Sequence, residues 1–250
     1  MAASENESTA VRFRWWLVLP GLAAYAVIFS ALAWLAAVRC PRPARALVLM
    51  FAECSLLSVA AIGLAASADP AGLAACFRRV VVGLLPLAAV SVALSVAAGV
   101  APWTALAGAQ VVIVAFCVLL AAVFLWVRCV GGEPFPAQFV TVMAGAGLMG
   151  TVFYANPLVE RDQSPEARGR VIRVVLAVNP MAAISYSLLR FDMMRRQLMY
   201  DRISVIARWY RVTYPAWWQT ACGYAAAAGL LAGAAGVCHR FRLRLRGGAQ

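Results

Sequence analysis

The sequence has no lysine, a single histidine at position 239, and 10 acidic residues, of which Glu53 alone lies well inside a long apolar run. These shortages exclude most catalytic sets. Paired carboxylates, a Ser/His/Asp triad and an H-E-x-x-H zinc helix all need residues that the chain does not place together. The 7 cysteines, at 40, 54, 76, 117, 129, 222 and 238, include no C-x-x-C pair. Most sit within or at the edge of apolar stretches and read as small hydrophobes rather than a disulfide frame or a zinc site. A thiol nucleophile would want a histidine beside it, and His239 stands in a basic tail. A G-x-x-x-x-G-K-[ST] phosphate loop is missing as well. Neither enzymatic activity nor a cofactor is expected.

What the sequence has in abundance is apolar surface. Its 250 residues are 64% hydrophobic and 13% charged, where soluble domains carry about 25% charged residues. Stretches almost free of charge recur at about 20 residues, the length a helix needs to cross ~30 Å of hydrocarbon. A barrel would alternate apolar and polar residues in strands of about ten, whereas these runs are apolar on every side and rich in Ala, Leu and Gly. The expectation is an all-α polytopic membrane helix bundle. The net charge of +12 comes wholly from arginine, placed at segment ends and in two linkers. Binding nucleic acid would require a basic face on a folded soluble domain, and the sequence offers none. Arginine flanking apolar spans suits phosphate headgroups instead, so the lipid bilayer is the expected partner.

Six spans are predicted: Trp15–Val38, Ala46–Ala68, Val80–Val100, Thr104–Val127, Phe139–Ala155 and Trp217–Val237, with five or seven as alternatives. The first is too long for a signal peptide and is expected to stay in the mature protein. Asp69-Pro70 closes the second, Arg78-Arg79 opens the third, and Pro102-Trp103 turns the third into the fourth as an antiparallel hairpin. Between the fifth and last spans lies a more polar stretch. Within it Val171–Leu189 is apolar but carries Arg173 and is broken by Asn179-Pro180, so a re-entrant or interfacial helix fits better than a crossing. From Phe191 to Tyr210 apolar residues recur every three or four positions with arginines between, which predicts an amphipathic helix lying on a membrane surface or packed on the bundle. The organisation is therefore a short polar start (1–14), five transmembrane helices (15–159), a re-entrant and amphipathic segment (160–214), a last crossing (215–239) and a basic tail (240–250). The tail arginines put both termini on the cytoplasmic side.

Gly145-Ala-Gly147-Leu-Met-Gly150 matches a dinucleotide-binding string, but that mechanism needs a strand before it and a helix after it. Inside an apolar span, small residues that let helices approach explain it better, as they do Gly229-x-x-x-Gly233. Glu53 has two readings. It either pairs with Arg45 or another arginine at headgroup level, or it lines a substrate path.

The order of the C-terminal half carries a resemblance. A glycine-rich span, Phe139–Phe153, runs into Tyr154-Ala-Asn-Pro157, then Val171 to Arg190 with Asn179-Pro180 at its centre, a polar stretch, one last span and an arginine-rich tail. This resembles the permease subunits of ABC-2 type ABC transporters, over roughly residues 139–246. The resemblance implies a multi-pass protein of a bacterial cell (inner) membrane, in which Asn179, Pro180 and Arg190 belong to extracellular re-entrant helices. It implies a pore-forming exporter half that works as a homo- or heterodimer with a separate cytoplasmic ABC ATPase subunit. It also implies that the 69–79 link is the coupling surface, with Phe77, Arg78 and Arg79 meeting the ATPase, although the same arginines would serve as an ordinary positive anchor. No span shows a polar stripe, which favours an apolar or amphipathic cargo. A rival from another class is a membrane scaffold or assembly subunit that uses the 191–210 helix to bind a partner.

Overall fold

The computed structural model describes residues 15–40, 42–67, 73–131, 133–154, 156–161, 164–189 and 214–247. Among them every regular element is helical: α1 (Trp15–Arg39), α2 (Arg42–Ala66), α3 (Leu73–Ala97), α4 (Trp103–Gly131), α5 (Pro134–Tyr154), α6 (Asn156–Arg161), α7 (Pro165–Ala177), α8 (Pro180–Ala183), a π turn (Ile184–Leu188) and α9 (Trp217–Gly247). The helices α1 to α4, α5 together with α6, and α9 are long and apolar enough to cross a membrane. At 1.5 Å per residue the 25 residues of α1, α2 and α3 each reach about 37 Å, more than the hydrocarbon thickness. The chain is an all-α, multi-pass membrane bundle.

Several boundaries move outward from the sequence-based expectation: α2 begins at Arg42, α4 runs on to Gly131, and the last helix continues through the basic tail to Gly247. Helix α3 begins at Leu73 instead of Val80, so Arg78 and Arg79 lie within its second turn. Arginine is a good helix former whose long stem carries the charge away from an apolar surface, so its presence does not stop the helix. Helix α5 begins at Pro134 instead of Phe139, because a proline in the first turn gives up an N–H that has no helical partner anyway. The α3–α4 hairpin forms as expected. Gly99 adopts φ 61° there, and its N–H reaches Val96 O while that of Val100 reaches Ser95 O. This paired closure needs a left-handed residue, which only glycine supplies cheaply.

Helix α4 is the mast of the bundle. It packs against α2, α3, α5 and α9, and its buried residues, from Ala105 to Cys129, point in every direction around it. The other spans bury one face and turn the opposite one outward, where Trp34, Val59, Leu85, Phe139 and Leu230 are exposed. In water these would be a liability; against lipid chains they match the solvent.

Close approach is built at Gly108 of α4. A Cβ there would stand 2.7 Å from Cδ2 of Leu188, in the π turn. Gly108→Val should therefore overpack this contact and destabilise the bundle by about 1–3 kcal/mol, read as a lower midpoint in detergent unfolding. Adding Leu188→Ala should restore most of the loss, and no recovery would show that Leu188 is not the obstacle. Gly145 packs similarly, with Leu120 3.2 Å from its virtual Cβ, but Gly147, Gly229 and Gly233 face open space. The close-packing explanation therefore holds for Gly145 and fails for the α9 pair within one chain.

The segment before the last span is broken, as its sequence requires. Helix α7 starts six positions before Val171, where Ser164 caps it by accepting from Ala167 N at 3.1 Å and Pro165 follows at the first helical position. Its 13 residues extend about 20 Å. Val178 and Asn179 interrupt it, and α8 followed by the π turn begins after the break. No continuous helix covers Val171–Leu189.

Candidate functional site

Four helices each contribute a buried polar side chain to one cluster: Tyr25 from α1, Glu53 from α2, Ser91 from α3 and Gln110 from α4. Glu53 is fully buried because it lies on the inward stripe of α2, with Leu49, Met50, Cys54 and Leu57 at helical spacings on either side. Gln110 Nε2 donates to Glu53 Oε1 at 2.8 Å. Beside them Tyr25 OH lies 2.6 Å from Ser91 Oγ, and Ser91 Oγ donates to Leu87 O at 3.2 Å. Glu53 does not pair with Arg45. The Arg45 guanidinium turns back to the start of its own helix, where Nε donates to Cys40 O at 3.0 Å. The headgroup reading of Glu53 is thereby corrected: the carboxyl points to the mast helix, not along the helix to the lipid surface.

A second set of bonds fixes the break between α7 and α8. Asn179 is fully buried. Its Oδ1 accepts from Ala182 N at 3.0 Å and so caps α8, while its Nδ2 donates to Met149 O at 2.8 Å and Thr151 Oγ1 at 3.2 Å in α5. Tyr224 of α9 donates its hydroxyl to Val178 O at 2.8 Å. One asparagine and one tyrosine thus supply bonds that the interrupted backbone loses, the condition under which irregular backbone survives at membrane depth. Pro180 is buried at the first position of α8, where its missing N–H has no cost. Arg190, the third residue of that motif, lies outside the described residues, as does the 191–210 segment.

Next to this clip, an apolar groove of about 360 Å³ runs between α2 and α5, lined among others by Phe51, Ser55, Val59, Ala146, Met149 and Phe153. Its polar side-chain groups are the hydroxyls of Ser55, Ser58 and Tyr154, and both serines are bonded to their own helix: Ser55 to Phe51 O and Ser58 to Cys54 O. The groove suits an apolar surface and offers a charged solute nothing.

The structure separates the three residues of the 69–79 link. Phe77 turns inward and packs on the core. Arg79 Nη1 donates to Ser67 O at 2.9 Å, tying α3 to the end of α2. Arg78 is exposed and, among the described residues, is the free one of the two cations.

Tyr25, Ser91 and Gln110 went unnoticed in the sequence. A signal existed for Gln110, the one amide in the long apolar run of α4, since such groups in membrane helices find interhelical partners. Tyr25 and Ser91 resemble many other residues of their spans and carried no signal. No protein-family model, curated protein or solved structure matches this chain.

Proposed function

We propose that the chain is the membrane-spanning permease subunit of an ABC-2 type exporter, forming the translocation path with a second permease and drawing its energy from a separate cytoplasmic ATPase. The observation that carries this reading is the broken helix pair before the last span, whose break at Asn179-Pro180 is buried in protein and held at Asn179 to α5 and at Val178 to α9. A transmembrane bundle gains nothing in stability from such an interruption. The device belongs with proteins that line a cavity or gate with non-helical backbone. The groove between α2 and α5 supports the same reading by offering an apolar wall beside that break. Phe77, Arg78 and Arg79 are the proposed coupling residues, and the cargo is apolar or amphipathic.

Reconstitution tests the proposal. The purified chain alone should neither hydrolyse ATP nor drive uphill transport in liposomes, and mild-detergent purification from its native membrane should recover an ATPase. Ala146→Trp, which fills the groove from an exposed position, should abolish most ATP-driven transport while leaving the ATPase bound. Uphill transport by the chain alone, or no ATPase recovered, would end the exporter reading.

One observation favours a scaffold instead. Gly223, Gly229 and Gly233 on α9 meet nothing within 4 Å, and small residues on an open helix face suit packing by another membrane helix. Under that reading the chain would still co-purify with membrane partners, but none would hydrolyse ATP.

A further inference from the structure

The polar cluster contains an imbalance. Gln110 Nε2 donates to Glu53 Oε1 at 2.8 Å, yet Glu53 Oε2 and Gln110 Oε1 are both buried without a hydrogen-bond partner. Both are acceptors, and they belong to the two halves of the same pair. The nearby hydroxyls have other acceptors: Ser91 donates to Leu87 O at 3.2 Å and shares a 2.6 Å contact with Tyr25 OH, so that Ser91, though beside the carboxyl, is divided among several partners.

Among the described residues no cation balances the carboxyl. Tyr25 from α1, Cys54 on α2 itself and Cys117 from α4 are the titratable groups within electrostatic reach. Helix α3 presents Ser91 to it. In α5 the one titratable side chain is Tyr154, which lines the groove, and α8 has none. Arg45 and Arg79 are bonded to Cys40 O and Ser67 O. An ionised carboxylate here would be a buried charge faced only by the neutral groups of Gln110 and Ser91, and a buried charge without a counter-ion is costly.

We propose that Glu53 and Gln110 form a membrane-buried proton-binding site, in which a proton on Glu53 Oε2 is donated to Gln110 Oε1 and closes a reciprocal acid–amide pair between α2 and α4. One proton, taken from water, satisfies both orphaned acceptors at once. The occupied site clasps α2, one wall of the groove, to the mast helix. Losing the proton to water leaves a charge between the two helices and opens the clasp. The site stands on the bundle geometry alone and holds whether or not the chain exports anything.

Infrared spectroscopy of the full chain in nanodiscs at neutral pH tests it. Wild type should show the carbonyl stretch of a protonated carboxyl. Glu53→Gln should lose that band, and Gln110→Ala should move it to higher frequency, because the acid loses its partner. Glu53→Gln replaces the acid by an amide of the same shape and keeps both bonds, so its fold should survive where Glu53→Ala weakens. Absence of the protonated band in wild type overturns the proposal, as does a band unmoved by Gln110→Ala. An ionised carboxyl whose stability responds to added sodium would assign the place to a metal ion instead, and that too would overturn it. If Glu53→Gln fails to fold, the wild-type band and its shift in Gln110→Ala still decide the matter.

Discussion

Asn179→Ala should lower the stability of the folded chain by about 3 kcal/mol: about 1 for the lost cap of α8 and about 1 for each bond across to α5. The estimate assumes that no water replaces the side chain, which fits a residue with no exposed surface. Asn179→Ser separates the two contributions. A serine oxygen can still cap Ala182 N, but its shorter side chain does not reach Met149 O, so it should recover about a third of the loss. Unfolding midpoints of the three proteins in mixed micelles would measure this directly. Tyr224→Phe should act in the same direction and more weakly, since it removes one donor from Val178 O. An unchanged midpoint for Asn179→Ala would mean that the break is held by packing alone.

The second large effect concerns coupling. If a cytoplasmic ATPase docks on the link before α3, Arg78→Glu should weaken its binding more than tenfold and abolish ATP-driven transport, because reversing one member of a close charge pair costs about 2 kcal/mol or more. Arg79→Glu should act differently, by releasing Ser67 O and loosening the α2–α3 connection within the subunit. Changing both arginines to glutamate removes binding and anchor together. The double glutamine variant distinguishes docking from topology. Acidic residues count little in setting orientation, so a topological effect should be equal for glutamine and glutamate, whereas repulsion at an interface should make glutamate worse. Quantitative pull-down of the ATPase with each variant reads the difference. Equal recovery with Arg78→Glu and wild type would remove this residue from the interface.

Segments whose physics is local could be read from the sequence. The α3–α4 hairpin follows from one glycine, one proline and the lack of charge between two apolar runs, and Gly99 closes it by its own backbone conformation. The break at Asn179-Pro180 is equally local, because a proline and a capping asparagine stop one helix and start another whatever surrounds them. The partners of Asn179 were not legible, since Met149 and Thr151 are 30 and 28 positions away and nothing in their side-chain types announces the bond.

Glu53 shows the division most clearly. By itself the sequence determined that this chain forms long apolar helices, about six of them crossing a membrane, and that one acid lies inside them. Bilayer thickness and the need to satisfy every backbone group leave no other solution for such runs. It could not determine which way each helix faces, because spans apolar on all sides carry almost no rotational signal. Only the tertiary packing decided that. By turning Glu53 toward Gln110, 57 residues away, rather than toward Arg45, it converted a plausible headgroup anchor into a buried pair, since in a lipid-facing bundle the inward direction is set by how side chains of different helices interlock.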